Sequence, residues 1–100
     1  MRVEVLQEAE LELAQAIDYY EENEPGLGVR LKQEVRAAIQ WIAANPEVPR
    51  LRPREYRRVN LKVFRYYVAY FIWNDVIWIL AVAHGHRRPE YWLGRKRSAN

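Results

Sequence analysis

The hydrophobic pattern changes period twice along the chain. Val3 and Val5 alternate with Arg2 and Glu4, which predicts a short half-buried strand over Met1 to Leu6. From Glu8 the spacing turns helical: Leu13, Ile17 and Tyr20 recur on one face beside Ala9 and Ala16, and Glu8, Glu10, Glu12, Gln15 and Asp18 fill most of the rest. Acidic residues in a first turn suit the positive end of a helix dipole. Pro25-Gly26-Leu27-Gly28 is punctuation, because proline presets one turn residue and glycine permits positive φ. A second helix follows, with Leu31, Val35, Ala38, Ile39 and Ile42 as its apolar stripe. It stops at Asn45-Pro46, since the residue before proline avoids the helical region. Two amphipathic helices joined by so short a turn form an antiparallel hairpin.

Glu47 to Arg54, with Pro49 and Pro53 among arginines, reads as an extended loop. After it the period becomes 2. Strands are predicted at Tyr56 to Leu61, Phe64 to Ile72 and Val76 to Ala83, with Asn74-Asp75 as a tight hairpin turn. The order is therefore β-α-α-β-β-β. In the middle strand of this half Tyr66, Val68, Tyr70 and Ile72 point one way and Tyr67, Ala69, Phe71 and Trp73 the other. In the last, Val76, Trp78, Leu80 and Val82 oppose Ile77, Ile79, Ala81 and Ala83. An antiparallel sheet with helices on one face normally shows polar residues on the other. Here both faces are apolar. Two helices cannot cover both, so the second is covered by the C-terminal tail, by self-association or by a partner protein.

One hundred residues without repeat or linker make a single domain over 1–100, with about 93–100 expected as a flexible tail. The net charge of +3 is unevenly spread. Glutamates crowd the segment up to Glu34, whereas Arg50, Arg52, Arg54, Arg57, Arg58, Lys62 and Arg65 fill the middle and Arg87, Arg88, Arg95, Lys96 and Arg97 the end. A basic half of this kind suits nucleic acid or an acidic protein. The lack of cysteine removes disulfides, zinc thiolates and thiol nucleophiles together, and fits a reducing, cytoplasmic address. Met1-Arg2-Val3-Glu4-Val5 lacks the apolar core of a secretory signal. No membrane partner is expected either: Tyr66 to Ala83 is broken by Asn74-Asp75 into pieces far short of the roughly 20 residues of a span.

Chemistry concentrates where the last strand runs into His84-Gly85-His86-Arg87-Arg88-Pro89-Glu90-Tyr91-Trp92. Imidazoles, guanidiniums and amphipathic aromatics so close together supply proton transfer, anion binding and flat stacking surfaces. His84 can act as an acid or base, although a histidine closing an apolar strand is more often structural. Only Glu90 stands near the histidine pair as a further ligand, so no metal and no cofactor is expected.

Several motifs in order resemble the RelE/ParE superfamily, the toxins of bacterial type II toxin–antitoxin modules once called plasmid stabilisation proteins, on its ParE side. The carrying residues are Ala9-Glu10-Leu11-Glu12-Leu13, Ala16 and Tyr19-Tyr20-Glu21; Pro25-Gly26-Leu27-Gly28; Ala44-Asn45-Pro46; Arg57-Arg58; Phe64-Arg65-Tyr66-Tyr67-Val68-Ala69-Tyr70; and His84 to Trp92. The resemblance implies an α+β fold, a two-helix antiparallel hairpin packed on a twisted, mainly antiparallel four-stranded sheet. It also implies a cognate antitoxin, whose C-terminal segment lays a helix in a groove near the hairpin and adds a strand, within a toxin–antitoxin hetero-oligomer. Leu13, Ile17 and Tyr20 are the expected antitoxin contacts.

ParE-like members poison DNA gyrase, and RelE-like members cut messenger RNA on the ribosome; a module that keeps the fold without toxicity is the third alternative. Gyrase is favoured, because RelE-like chains commonly place an arginine after the middle-strand tyrosine, where this chain has Tyr67. Arg65 stands on the opposite parity from Tyr66. The expected target surface is Arg58, Arg65, Arg87, Arg88, Tyr91 and Trp92. If the chain were a nuclease, its catalytic candidates would be Arg65, His84, Arg87 and Tyr91.

Overall fold

A computed structural model describes residues 1–99. Strand β1 (Arg2–Val5) leads into helices α1 (Gln7–Asn23) and α2 (Leu27–Ala44), followed by β2 (Arg57–Asn60), β3 (Tyr66–Trp73), β4 (Val76–His84) and a 3₁₀ helix, Leu93–Ala99. The sheet order is β1-β4-β3-β2, with β1 parallel to β4 and the other pairs antiparallel. The element order and the mainly antiparallel α+β architecture are those expected.

Glycine chemistry sets the helical hairpin. Gly26 takes φ 92°, and the Glu21 carboxylate accepts the backbone N–H of Gly26 at 2.8 Å and of Gly28 at 3.0 Å. The Gly26 bond, with that from Gly28, holds the Glu21 carboxyl below the usual carboxylate range. At Gly28 the helices nearly touch: a Cβ there would lie 2.5 Å from the Ile17 carbonyl oxygen and 2.9 Å from the Glu21 Cβ. Gly28→Ala is therefore expected to cost about 1–3 kcal/mol, as overpacking does. Val29→Ala next to it, at a side chain 52% exposed, should change stability by less than about 0.5 kcal/mol. Urea denaturation of the two variants checks this; equal losses would mean that the close approach is not what Gly28 is for.

The strict alternation expected for β4 fails at one position. Ala69 pairs with Ala81 and Tyr70 with Ile79, so Leu80 is an extra residue, a bulge that reverses side-chain parity beyond it. Val82 consequently joins Ile77 and Ile79 in the core under the helices, while Ala81 and Ala83 join Leu80 on the other face. In β3 the alternation holds, with Val68 and Tyr70 beneath the helices and Tyr67, Ala69 and Phe71 opposite.

The second sheet face is covered by the chain's own tail. Trp92, 1% exposed, packs edge-on against Tyr56 with ring centroids 4.6 Å apart, and its Nε1 donates to the Tyr67 hydroxyl at 3.0 Å. Lys96 sits 4.8 Å over the Phe71 ring and donates to the Arg54 carbonyl at 3.0 Å. The expectation of a flexible tail is corrected here: 93–99 form the docked 3₁₀ helix, and Asn100 lies outside the described residues. Apolar surface on the sheet, together with fixed donors and acceptors, gave the tail something to bind.

Candidate functional site

Three surfaces emerge, and a part-buried carboxylate organises the first. Glu12 projects from α1 with a side chain only 13% exposed. Its Oε1 accepts Arg95 Nη1 at 2.8 Å and the Val82 N–H at 3.1 Å, and its Oε2 accepts Arg95 Nη2 at 3.1 Å and the Tyr91 hydroxyl. Burial, then the Glu12 carboxylate, pushes the Tyr91 hydroxyl up from its ordinary value, so it stays protonated and donating. Arg87 stacks 3.8 Å over the Tyr91 ring and remains 60% exposed at its side chain. Gln15, Tyr19, Tyr66 and His84 complete a pocket of about 160 Å³ around these groups.

His84 reaches this pocket because the β4 bulge turned it toward the helices. Its Nδ1 accepts the His86 N–H at 3.0 Å and its ring meets Tyr66 edge-on at 5.0 Å. Burial, then the charges of His86 and Arg65, lowers its pKa from the ordinary histidine value. The unfolded chain therefore binds the proton more readily, and stability is lost as pH falls below about 6.5. Denaturant midpoints between about pH 7.5 and pH 5.5 should fall in the native chain and fall less in His84→Gln, a window in which ordinary carboxylates barely titrate. Parallel pH profiles for the two proteins would refute this.

The second surface lies on the opposite, tail-covered side of the sheet. Arg58 and Asn60 stand opposite Ala69 and Tyr67 in the β2–β3 register, and the Arg58 guanidinium lies 4.6 Å over the Tyr67 ring. Arg65 Nη1 is 3.1 Å from His86 Nε2, and the Arg65 carbonyl accepts the Gly85 N–H at 2.7 Å. The six expected target residues are thus divided. Arg58 and Arg65 share one pocket, Arg87 and Tyr91 line another, and Arg88 is exposed in the loop after β4, between Arg87 and Tyr91. Trp92 is corrected: it is core, and it presents no surface to a target. The nuclease candidates divide likewise, with Arg65 in a different pocket from His84, Arg87 and Tyr91.

Leu13, Ile17 and Tyr20 are half-buried against the main core, which consumes much of the surface expected to meet an antitoxin. The third surface was not anticipated. A groove of about 560 Å³ runs between α2 and the edge strand β2, lined by Ala37, Ala38, Trp41, Pro49, Val59 and Leu61, with Arg58 and Lys62 on its rim. Trp41 is 42% exposed there. The available signal was a tryptophan lying off the apolar stripe of α2.

A solved structure of the chromosomal ParDE TA system from P. aeruginosa superposes with a TM-score of 0.73 at 18% identity, over 84% of this chain and 95% of that one. At this identity the likeness is one of fold. The sequence carries the assignment further: the model of the ParE toxin of type II toxin–antitoxin system, parDE, matches residues 3–89. Toxin ParE2 of Mycobacterium tuberculosis, in strains CDC 1551 / Oshkosh and ATCC 25618 / H37Rv, is 36% identical over 89 residues, covering 88% of this chain and 85% of the relative. The chain belongs to the ParE toxin family of type II toxin–antitoxin systems.

Proposed function

We propose that this toxin inhibits DNA gyrase in the cytoplasm and is neutralised by a cognate antitoxin seated in the α2–β2 groove. The observation that carries the antitoxin reading is the groove itself: exposed Trp41 lies beside an edge strand whose outer backbone groups have no strand partner among the described residues. Such a site accepts an amphipathic segment by its apolar side chains and a strand by its backbone. Its lining of Ala37, Ala38, Trp41, Val59 and Leu61 favours an apolar face on that segment. Hydrogen exchange with and without the antitoxin should show protection at α2 and β2; protection confined to α1 would return the site to Leu13, Ile17 and Tyr20.

The target surface is placed on Arg87 and Arg88, with Tyr91 holding the Arg87 guanidinium by stacking. Arginine engages phosphates and carboxylates through a planar fork that lysine lacks, so Arg87→Lys should weaken inhibition while folding survives. Induced expression in bacteria should arrest DNA synthesis and raise a DNA-damage response before translation falls. Cleavage of ribosome-bound messenger would favour the nuclease, and absence of any growth effect the non-toxic module.

A further inference from the structure

We propose that the pocket on the tail-covered side of the sheet, bounded by Arg58, Lys62 and Arg65, is a phosphate-binding site. The pocket measures about 420 Å³, and Asn60, Tyr67 and Gly85 also line it. Among the described residues none of its three cations forms an ion pair, because the carboxylates that pair with arginine, Glu4, Glu12 and Glu90, do so elsewhere. Glu34 approaches from α2, but its Oε1 is occupied by the backbone N–H groups of Lys62 at 2.7 Å and Val63 at 3.0 Å. That contact pins the loop carrying Lys62.

Arg58 is held in place by the Tyr67 ring, with its buried Nε lacking an acceptor among the described residues. Arg58, Lys62 and Arg65 thus line one pocket, and among the described residues no carboxylate forms an ion pair with any of them. Like charges held together repel, so the occupant that stabilises them is an anion. Three cations exceed what one carboxylate neutralises, whereas a phosphate offers up to two charges and several acceptor oxygens to two guanidinium forks and an ammonium. The phosphate can be free or part of a nucleic-acid backbone. This site stands whatever the toxin's cellular target.

Two probes separate the sources: inorganic phosphate, and a fluorescein-labelled single-stranded oligonucleotide of about 12 nucleotides, a length typical of single-strand sites. With the full-length ¹⁵N-labelled toxin, phosphate should shift the amides of Lys62, Arg65 and Gly85. Exposed Arg65→Gln and Lys62→Gln should each weaken binding about tenfold, the loss of one charge-assisted hydrogen bond, and Arg36→Gln on exposed α2 should not. Competition of phosphate against the oligonucleotide supports backbone recognition at this pocket; phosphate binding alone supports a free phosphate ligand. Amide shifts elsewhere, or equal weakening by Arg36→Gln, would overturn the proposal.

Discussion

Glu12→Ala is expected to destabilise the toxin by up to about 3 kcal/mol, because removing one partner of a part-buried ion pair leaves the other charge uncompensated. The lost groups are specific. Arg95 loses two bonds, at 2.8 and 3.1 Å, the Val82 N–H loses its acceptor at 3.1 Å, and the Tyr91 hydroxyl is left without the carboxylate. Arg87, 3.9 Å from the same carboxylate and mostly exposed, adds little. For a chain of this size such a loss lowers Tm by roughly 12–20 °C. A double-mutant cycle of Glu12→Ala with Arg95→Met should return a coupling on the order of 1–3 kcal/mol. A loss below about 1 kcal/mol in the single variant would mean that the clasp is ornamental to stability. The same variant frees Tyr91 and so loosens the platform under Arg87, which predicts weaker inhibition even in the folded fraction.

Trp92→Ala should be at least as damaging, at about 3–5 kcal/mol, the usual range for emptying a buried aromatic site. Trp92 is enclosed by Tyr56 and Tyr67, and its removal also strands the Tyr67 hydroxyl, which accepts the indole N–H. Trp92→Phe keeps most of the apolar contact and loses the hydrogen bond, so it should cost about 1–2 kcal/mol. Urea midpoints measure both, and amide exchange should accelerate in β3 and β4 before α2. The functional corollary is sharper: a folded Trp92→Phe toxin should inhibit growth as the native chain does. Loss of toxicity without loss of fold would restore Trp92 to the target surface.

The elements were legible because their causes are local. Helical spacing of Leu13, Ile17 and Tyr20, the Pro25-Gly26 turn, the stop at Asn45-Pro46 and the Asn74-Asp75 hairpin each act between residues a few positions apart. Asn74 and Asp75 indeed take φ of 53° and 63°. The family resemblance was legible for a similar reason, since its motifs are short and ordered. The site was less so. Period-2 reading assumes an unbroken ladder, and the extra residue Leu80 is visible only against its partners in β3. Without that bulge, His84 would be assigned to the wrong face.

The order of elements, the amphipathic stripes, the uneven charge and an apolar sheet needing cover on both faces are all readable along the chain. The folded arrangement alone shows that the tail supplies the second cover, that Glu12 is a part-buried clasp and not one more solvated helix carboxylate, and that the arginines divide between two pockets. The reason lies in separation along the chain. Glu12 meets Tyr91 across 79 positions and Arg95 across 83, and Trp92 meets Tyr67 across 25. Periodicity and turn chemistry carry no information over such distances; packing of the whole chain selects which polar groups face each other.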